Sequence, residues 1–237
     1  MSFYYPQVYQ AFLDARFTLP SLPGDYPDWH KGREHYYCWA ITIDSADIFK
    51  RWQTAQQHCA YYLCPDYHRQ LHITVAVCGF WQPRNMTSAH NDDFTQQQLD
   101  QQLDALHAVM AAPADHGAPP APWTLEVGGV NSFSSAPFLE VRDDHGILTA
   151  LRKLLLPNGN DFRSDVYCPH ITLGLYRDRF EAAAIAAGFS LAVETMPLKL
   201  HISSLDLLSY DARALGQPLK LERRVELPCA VGVSPRS

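Results

Sequence analysis

The sequence predicts an α+β fold made of two lobes that loosely repeat one another. With 237 residues, 47% of them hydrophobic, the chain has enough apolar material for one large domain or two packed lobes with a full core. Runs rich in aromatic and β-branched residues alternate with segments of helical periodicity, which is typical of mixed folds. A proline-rich stretch at 113–122 separates two halves, and each half contains strands, a helix, a strand with His and Thr, and a further helix.

The first lobe, about residues 34–112, is expected to follow an irregular N-terminal arm at 1–33. Proline and glycine interrupt this arm, which leaves room for one short helix near 6–17. The lobe begins with YYCWAITI, whose aromatic and β-branched residues favour a strand. The elements predicted in it are, in order, a strand at 36–43, a helix at 46–62, a His-Thr strand at 71–80 and a helix within 91–112.

The second lobe, about residues 123–228, completes a single bilobal domain at 34–228, after which 229–237 form a tail. Its helix near 179–188 is expected to end at Gly188, because glycine commonly follows the last turn of a helix. The predicted elements are strands at 123–133 and 136–143, a helix at 146–156, a His-Thr strand at 168–177, the helix at 179–188, and a closing strand pair at 198–210 and 219–227.

Charge and cysteine content limit the classes of protein that fit this chain. A net charge of -6 argues against broad, sequence-independent binding to the backbone of long or duplex nucleic acid. We expect a cytoplasmic protein, because no signal peptide or membrane-spanning run is recognised and the cysteines lack a CxxC pair, which favours reduced thiols. His58, Cys59, Cys64 and His68 match no zinc spacing, so no metal site is predicted.

The same polar pair occurs twice within apolar strand-like runs, as HITV at 72–75 and HITL at 170–173. Since residues two apart share one face of a strand, His and Thr are expected to lie together while the aliphatic residues face the core. The predicted polar faces consist of His72, Thr74, Ala76 and Cys78 in the first copy, and of His170, Thr172, Gly174 and Tyr176 in the second.

Two such pairs favour a catalytic site, whereas one alone would most simply be a packing feature. A neutral imidazole accepts a proton and a protonated one donates a proton, so two of them provide a base and an acid. Threonine hydroxyls one pleat further along the strands are suited to hydrogen-bond an anion between the rings. This arrangement fits in-line attack at phosphorus, and the sequence leaves open which histidine is the base.

The paired motifs resemble those of the two-histidine phosphoesterase superfamily, in its LigT-like or 2′-5′ RNA ligase-like branch. His72 and His170 lie 98 residues apart (170 minus 72), and the resemblance extends over about 36–227 by the order of elements. It implies a bilobal, pseudo-symmetric α+β fold in which two antiparallel sheets enclose a central cleft, with helices outside. It also implies that no cofactor is used.

The resemblance further implies a metal-independent phosphodiesterase that hydrolyses 2′,3′-cyclic phosphates of nucleotides or RNA ends. His72 and His170 would be the acid and base, and Thr74 and Thr172 would bind the phosphate. Two alternatives remain open: cleavage or ligation of 2′-5′ phosphodiester links in oligonucleotides or signalling nucleotides, and a catalytically weak module that binds nucleotides or RNA ends. The expected partner is a small nucleotide or RNA end, bound by a monomer without membrane contact.

Aromatic side chains are expected to stack on the base of a nucleotide, and three are candidates. Phe133 follows the glycine-rich strand, Tyr176 shares the predicted face of His170, and Tyr36 begins the first strand. The chain departs from many relatives in one respect, because the arginine near the second motif comes only at Arg177. Strand alternation predicts that Arg177 points away from the cleft, which leaves less positive charge for the phosphate.

Overall fold

The computed structural model describes residues 3–22, 24–82, 90–111, 123–156, 167–192 and 196–227. The predicted joint at 113–122 and tail at 229–237 therefore lie outside the described residues. The helices are α1 (Pro6–Asp14), α2 (Pro27–His30), α3 (Ala46–Cys59), α4 (Gln96–Ala111), α5 (Ile147–Leu155) and α6 (Ala182–Ala192). The strands are β1 (His35–Thr42), β2 (His72–Gln82), β3 (Asp93–Thr95), β4 (Thr124–Ser132), β5 (Pro137–Arg142), β6 (His170–Thr172), β7 (Leu198–His201), β8 (Ser204–Asp211) and β9 (Lys220–Glu226).

Two sheets organise these elements, which confirms the predicted α+β fold. The first has the order β3-β2-β1-β8-β9 and the second has the order β6-β5-β4-β7. Neighbouring strands are antiparallel, except that β2 and β3 run parallel. Both sheets contribute to one hydrophobic core, in which Trp39 of β1 and Ile73 of β2 are clustered with Leu139 of β5 and Ile171 of β6. Among the described residues, no helix has the length and apolarity that crossing a bilayer requires.

The closing part of the chain divides between the two sheets, so the prediction of one continuous strand at 198–210 is wrong. Residues 198–201 form β7 beside β4 in the second sheet, whereas β8 pairs with β1 in the first. All side chains from Leu205 to Ser209 are buried, because β8 lies between β1 and β9. The C-terminal portion of the predicted second lobe thus completes the first sheet.

Helix α6 continues to Ala192, so the prediction that it ends at Gly188 is wrong. A Cβ atom at Gly188 would lie 2.8 Å from Nε2 of His58 on α3. Glycine at this position therefore leaves room for the His58 ring instead of terminating a helix. The predicted helix at 46–62 likewise divides into α3 and a short 3₁₀ turn at Ala60–Tyr62.

Strand β2 contains an irregularity that changes which side chains face each way. Thr74 is paired with Ala40 of β1, but Val77 is paired with Cys38, so one extra residue of β2 lies between the two pairs. A β-bulge of this kind reverses the alternation of side chains beyond it. Ala76 therefore packs in the main core, and the prediction that Ala76 and Cys78 share the face of His72 and Thr74 is wrong.

Candidate active site

The two motif strands alternate as the sequence predicts over the motifs themselves. In β2, His72 and Thr74 are half-buried, while Ile73 is fully buried. In β6, His170 and Thr172 are half-buried, while Ile171 is fully buried. The aliphatic residues anchor both strands in the core, so each histidine and threonine share the opposite face.

Side chains from the second half hold β6 next to β2. Because β3 pairs only with the end of β2, at 80–82, the preceding carbonyls on that edge have no strand partner in the described part of the chain. The Tyr167 hydroxyl donates a hydrogen bond to the carbonyl oxygen of Thr74 at 2.9 Å, and the Arg152 guanidinium donates one to that of Val75 at 2.6 Å. These bonds provide donors for two carbonyl groups on the unpaired edge of β2, and they join the two sheets at the motifs.

Helix α3 also holds the second motif in place. The Trp52 indole N–H donates to the carbonyl oxygen of Thr172 at 2.9 Å, and the Gln56 amide donates to that of Leu173 at 3.0 Å. A helix from the first half thus fixes the backbone of the second motif, and the relative position of the two motifs depends on both halves.

Each of the two histidines is oriented by a hydrogen bond of the same type. Nδ1 of His72 lies 2.7 Å from the carbonyl oxygen of Gln70, and Nδ1 of His170 lies 2.7 Å from that of Cys168. A carbonyl oxygen only accepts, so Nδ1 carries the proton and donates it in both rings. In the neutral state Nε2 of each ring is then the basic nitrogen.

Burial and neighbouring positive charge lower the pKa of His72 from 6.5 to about 4. Burial is the largest cause, the hydrogen bond to the Gln70 carbonyl opposes it, and the positive charges of Arg69 and His170 lower the pKa further. Strands β2 and β6, which carry the two rings, are in contact. At neutral pH His72 is therefore uncharged and its Nε2 is able to accept a proton.

The segment before β2 brings Tyr67 and Arg69 to the site, although no sequence pattern points to them. Burial raises the pKa of Tyr67, while the Arg69 charge and a hydrogen bond with the Thr172 side chain oppose the rise. The Arg69 guanidinium carbon lies 4.1 Å from the centre of the Tyr210 ring. The sequence offered one signal for Arg69, namely a basic residue three positions before His72. Outside a strand, however, spacing along the chain does not predict which way a side chain points.

Phe133 is the predicted aromatic that the structure places against a motif histidine. Its half-buried ring meets the His170 ring edge to face, with centroids 5.0 Å apart. Phe138 flanks the same imidazole at 5.2 Å. Phe133 thus has exposed surface beside His170, as a stacking partner for a ligand requires.

Tyr176 lies in the core, so the prediction that it lines the cleft is wrong. Its side chain is 0% exposed, its hydroxyl shares a 2.7 Å hydrogen bond with Ser132, and its ring packs near Phe12. The physical reason is that β6 ends at Thr172, so the alternation that would place Tyr176 with His170 does not continue. Arg177, the next residue, is exposed and lies over the ring of Tyr61.

Tyr36 is also unsuited to contact a ligand, because only 3% of it is exposed. Its ring packs against Trp29 of α2, Phe80 of β2 and Tyr210 of β8, at centroid distances of 5.1, 4.8 and 5.4 Å. The N-terminal arm supplies Trp29 and covers Tyr36, which the strand pattern alone did not reveal. The prediction that Tyr36 binds substrate is therefore wrong, and its role is to pack beneath the arm.

Two imidazoles that each donate from Nδ1 to a carbonyl, each accompanied by a threonine on the same strand face, form a candidate two-histidine site. A family model for the 2′-5′ RNA ligase superfamily matches residues 44–214, well over half of the chain. The chain belongs to this superfamily. A comparison with curated proteins finds no match.

Similar solved structures include several bacterial proteins. The Thermus thermophilus protein TT0787 has a TM-score of 0.51 and 15% identity, over 82% of this chain and 99% of that one. Escherichia coli LigT complexed with phosphate has a TM-score of 0.46 and 17% identity, over 83% and 99%. A conserved Agrobacterium tumefaciens protein of unknown function has a TM-score of 0.46 and 13% identity, over 87% and 94%.

Proposed function

We propose that this chain is a metal-independent phosphodiesterase that opens 2′,3′-cyclic phosphates of nucleotides or RNA ends, with His72 and His170 as its acid and base. The observation that carries the proposal is the matched orientation of the two rings, each donating from Nδ1 to a carbonyl two residues earlier. Identical anchoring leaves one Nε2 on each motif strand for proton transfer. Purely structural histidines would not need this symmetry.

We further propose the roles of the two rings in the hydrolytic direction, because the low pKa of His72 suits a base. Neutral His72 accepts a proton from water through Nε2 as the water oxygen forms a bond to phosphorus. Protonated His170 donates its Nε2 proton to the ribose oxygen as the bond between that oxygen and phosphorus breaks. The hydroxyls of Thr74 and Thr172 hydrogen-bond the non-bridging oxygens as negative charge develops on them. In the reverse direction the two histidines exchange roles.

The proposed substrate is small, because the site offers local contacts and the chain carries a net charge of -6. Phe133 beside His170 is the proposed stacking partner for the base. Backbone contacts along a long nucleic acid are not needed for this recognition. We propose that the protein acts as a monomer.

The test is hydrolysis of the four nucleoside 2′,3′-cyclic phosphates in the presence of EDTA, with wild type, His72→Ala and His170→Ala. His107→Ala is the matched control, because His107 is an exposed histidine on α4. We expect each motif variant to lose about 10²- to 10⁴-fold in turnover, the usual contribution of a positioned acid or base. Wild-type turnover in either motif variant would overturn the proposal.

The family description supports a second candidate, in which the same site cleaves or joins 2′-5′ phosphodiester links. Supplying 2′-5′ and 3′-5′ linked dinucleotides to the same set of variants distinguishes it by the product formed. Saturable nucleotide binding without product from any of these substrates would instead support a binding module.

A further inference from the structure

Arg69 is a positively charged residue whose guanidinium is not fully hydrogen-bonded within the described part of the protein. Its guanidinium lies over the Tyr210 ring, and its Nε is buried without a hydrogen-bond partner. No hydrogen bond or ion pair joins it to another of the residues that the structure describes. Leaving such a donor buried and unpaired costs about 1 to 3 kcal/mol, so an oxygen ligand is expected nearby.

A second arginine on the same sheet face shows how this chain otherwise pairs such a group. Arg33 also lies over an aromatic ring, that of Phe80, at 3.7 Å. Its guanidinium is fully committed to the protein, because it forms ion pairs with Asp92 at 2.6 Å and Asp93 at 2.8 Å. Arg69 likewise lies over an aromatic ring, but it has no carboxylate partner among the described residues. Its charge therefore remains available to an anion.

Arg69 lies three residues before His72, in the segment that leads into β2. Its charge lowers the pKa of His72 and opposes the rise in the pKa of Tyr67, the residue two positions before it. A hydrogen bond with the Thr172 side chain also opposes that rise. The charge of Arg69 therefore acts on His72 of the first motif and on a residue that hydrogen-bonds the second.

We propose that Arg69 binds the phosphate group of the substrate, donating from its guanidinium to non-bridging phosphate oxygens on the His72 side of the site. A planar guanidinium matches the geometry of two phosphate oxygens, and stacking on Tyr210 holds its plane in place. The inference rests on the proposed function only in that the site accepts a phosphate ester. It explains how the site obtains positive charge although Arg177 lies elsewhere, over Tyr61.

The experiment measures binding of inorganic phosphate, adenosine 2′-monophosphate and adenosine 3′-monophosphate by calorimetry, without any turnover. The proteins are wild type, Arg69→Met, Arg69→Lys and Arg179→Met. Arg179 is the matched control, because it is an exposed arginine that lies 3.8 Å from the Phe17 ring. Thermal unfolding of each variant establishes that it is folded, and Arg69→Lys keeps the test valid if Arg69→Met is not.

We expect Arg69→Met to weaken binding of all three anions at least about tenfold, in line with the strength of charge-assisted hydrogen bonds. Arg69→Lys should show a smaller loss, because it keeps the charge without the planar fork. Arg179→Met should bind as wild type does. Affinity of both Arg69 variants within twofold of wild type would overturn the proposal, as would the absence of saturable binding by wild type at millimolar anion.

A second readout follows the imidazole of His72 by NMR titration without ligand. Loss of the Arg69 charge should raise the pKa of His72 above its wild-type value, whereas Arg179→Met should leave it unchanged. An unchanged pKa in Arg69→Met would show that the guanidinium is not near the site and would contradict the proposal. If wild type binds the monophosphates but hydrolyses no cyclic phosphate, the proposed function fails while the role of Arg69 stands.

Discussion

Replacing His72 by Gln should make the free energy of unfolding fall less steeply as the pH is lowered. In the folded protein the pKa of His72 is about 4, chiefly through burial, whereas in the unfolded chain it returns to about 6.5. Between these values the unfolded state binds more protons, so the free energy of unfolding falls as the pH falls. Each pH unit corresponds to about 1.4 kcal/mol, and the half-buried ring keeps some contact with water, so the expected loss is about 2 to 3 kcal/mol.

The assay is urea unfolding of wild type, His72→Gln and the control His107→Gln at several pH values from 7.5 to 4. Wild type and the control should lose about 2 to 3 kcal/mol more than His72→Gln over this range, with most of the difference arising between pH 6.5 and 4. Above pH 7 the pH dependence of all three should coincide, because His72 is neutral in both states. Parallel curves for wild type and His72→Gln throughout would refute the assignment of a low pKa to His72.

Three further predictions concern the Tyr167 hydrogen bond between the sheets, the Phe133 ring beside His170 and Gly79 in β2. Tyr167→Phe should cost about 1 kcal/mol in urea unfolding, because the Thr74 carbonyl loses its donor; an unchanged midpoint would contradict this. Phe133→Ala should raise KM for cyclic nucleotides about tenfold and reduce preference among bases, whereas unchanged KM would exclude stacking. Gly79→Ala should cost about 3 kcal/mol or more, because φ is +115° and a Cβ would lie 2.2 Å from the Asp92 carbonyl oxygen; a loss below about 1 kcal/mol would contradict the geometry.

Local patterns were sufficient to predict the central elements of the site. His72 and Thr74, like His170 and Thr172, alternate with buried aliphatic residues, and period-two alternation places such residues on opposite faces. This rule holds only while the backbone remains a regular strand. It fails after Thr172, where β6 ends and Tyr176 enters the core, and within β2, where a bulge turns Ala76 inward.

Other features depended on partners that are remote in the sequence. Gly188 resembles a helix terminator until the His58 ring on α3 is seen to occupy the space beside it. Tyr36 resembles a cleft aromatic until Trp29 of the N-terminal arm is found packed against it. In each case the residue type is correctly understood, but the neighbour that determines its role is not encoded in the local pattern.

The sequence by itself determined the α+β class, the two motif strands and the residue types that suit proton transfer at a phosphate, because these depend on short-range periodicity and side-chain chemistry. Only the tertiary structure decided that β8 completes the first sheet, that Tyr167 and Arg152 join the second half to β2, and that the charge of Arg69 acts on His72. Pairing of distant strands and approach of loop side chains depend on how buried groups satisfy one another across the whole fold. That choice is made by the collective free energy of packing and hydrogen bonding, which no single segment contains.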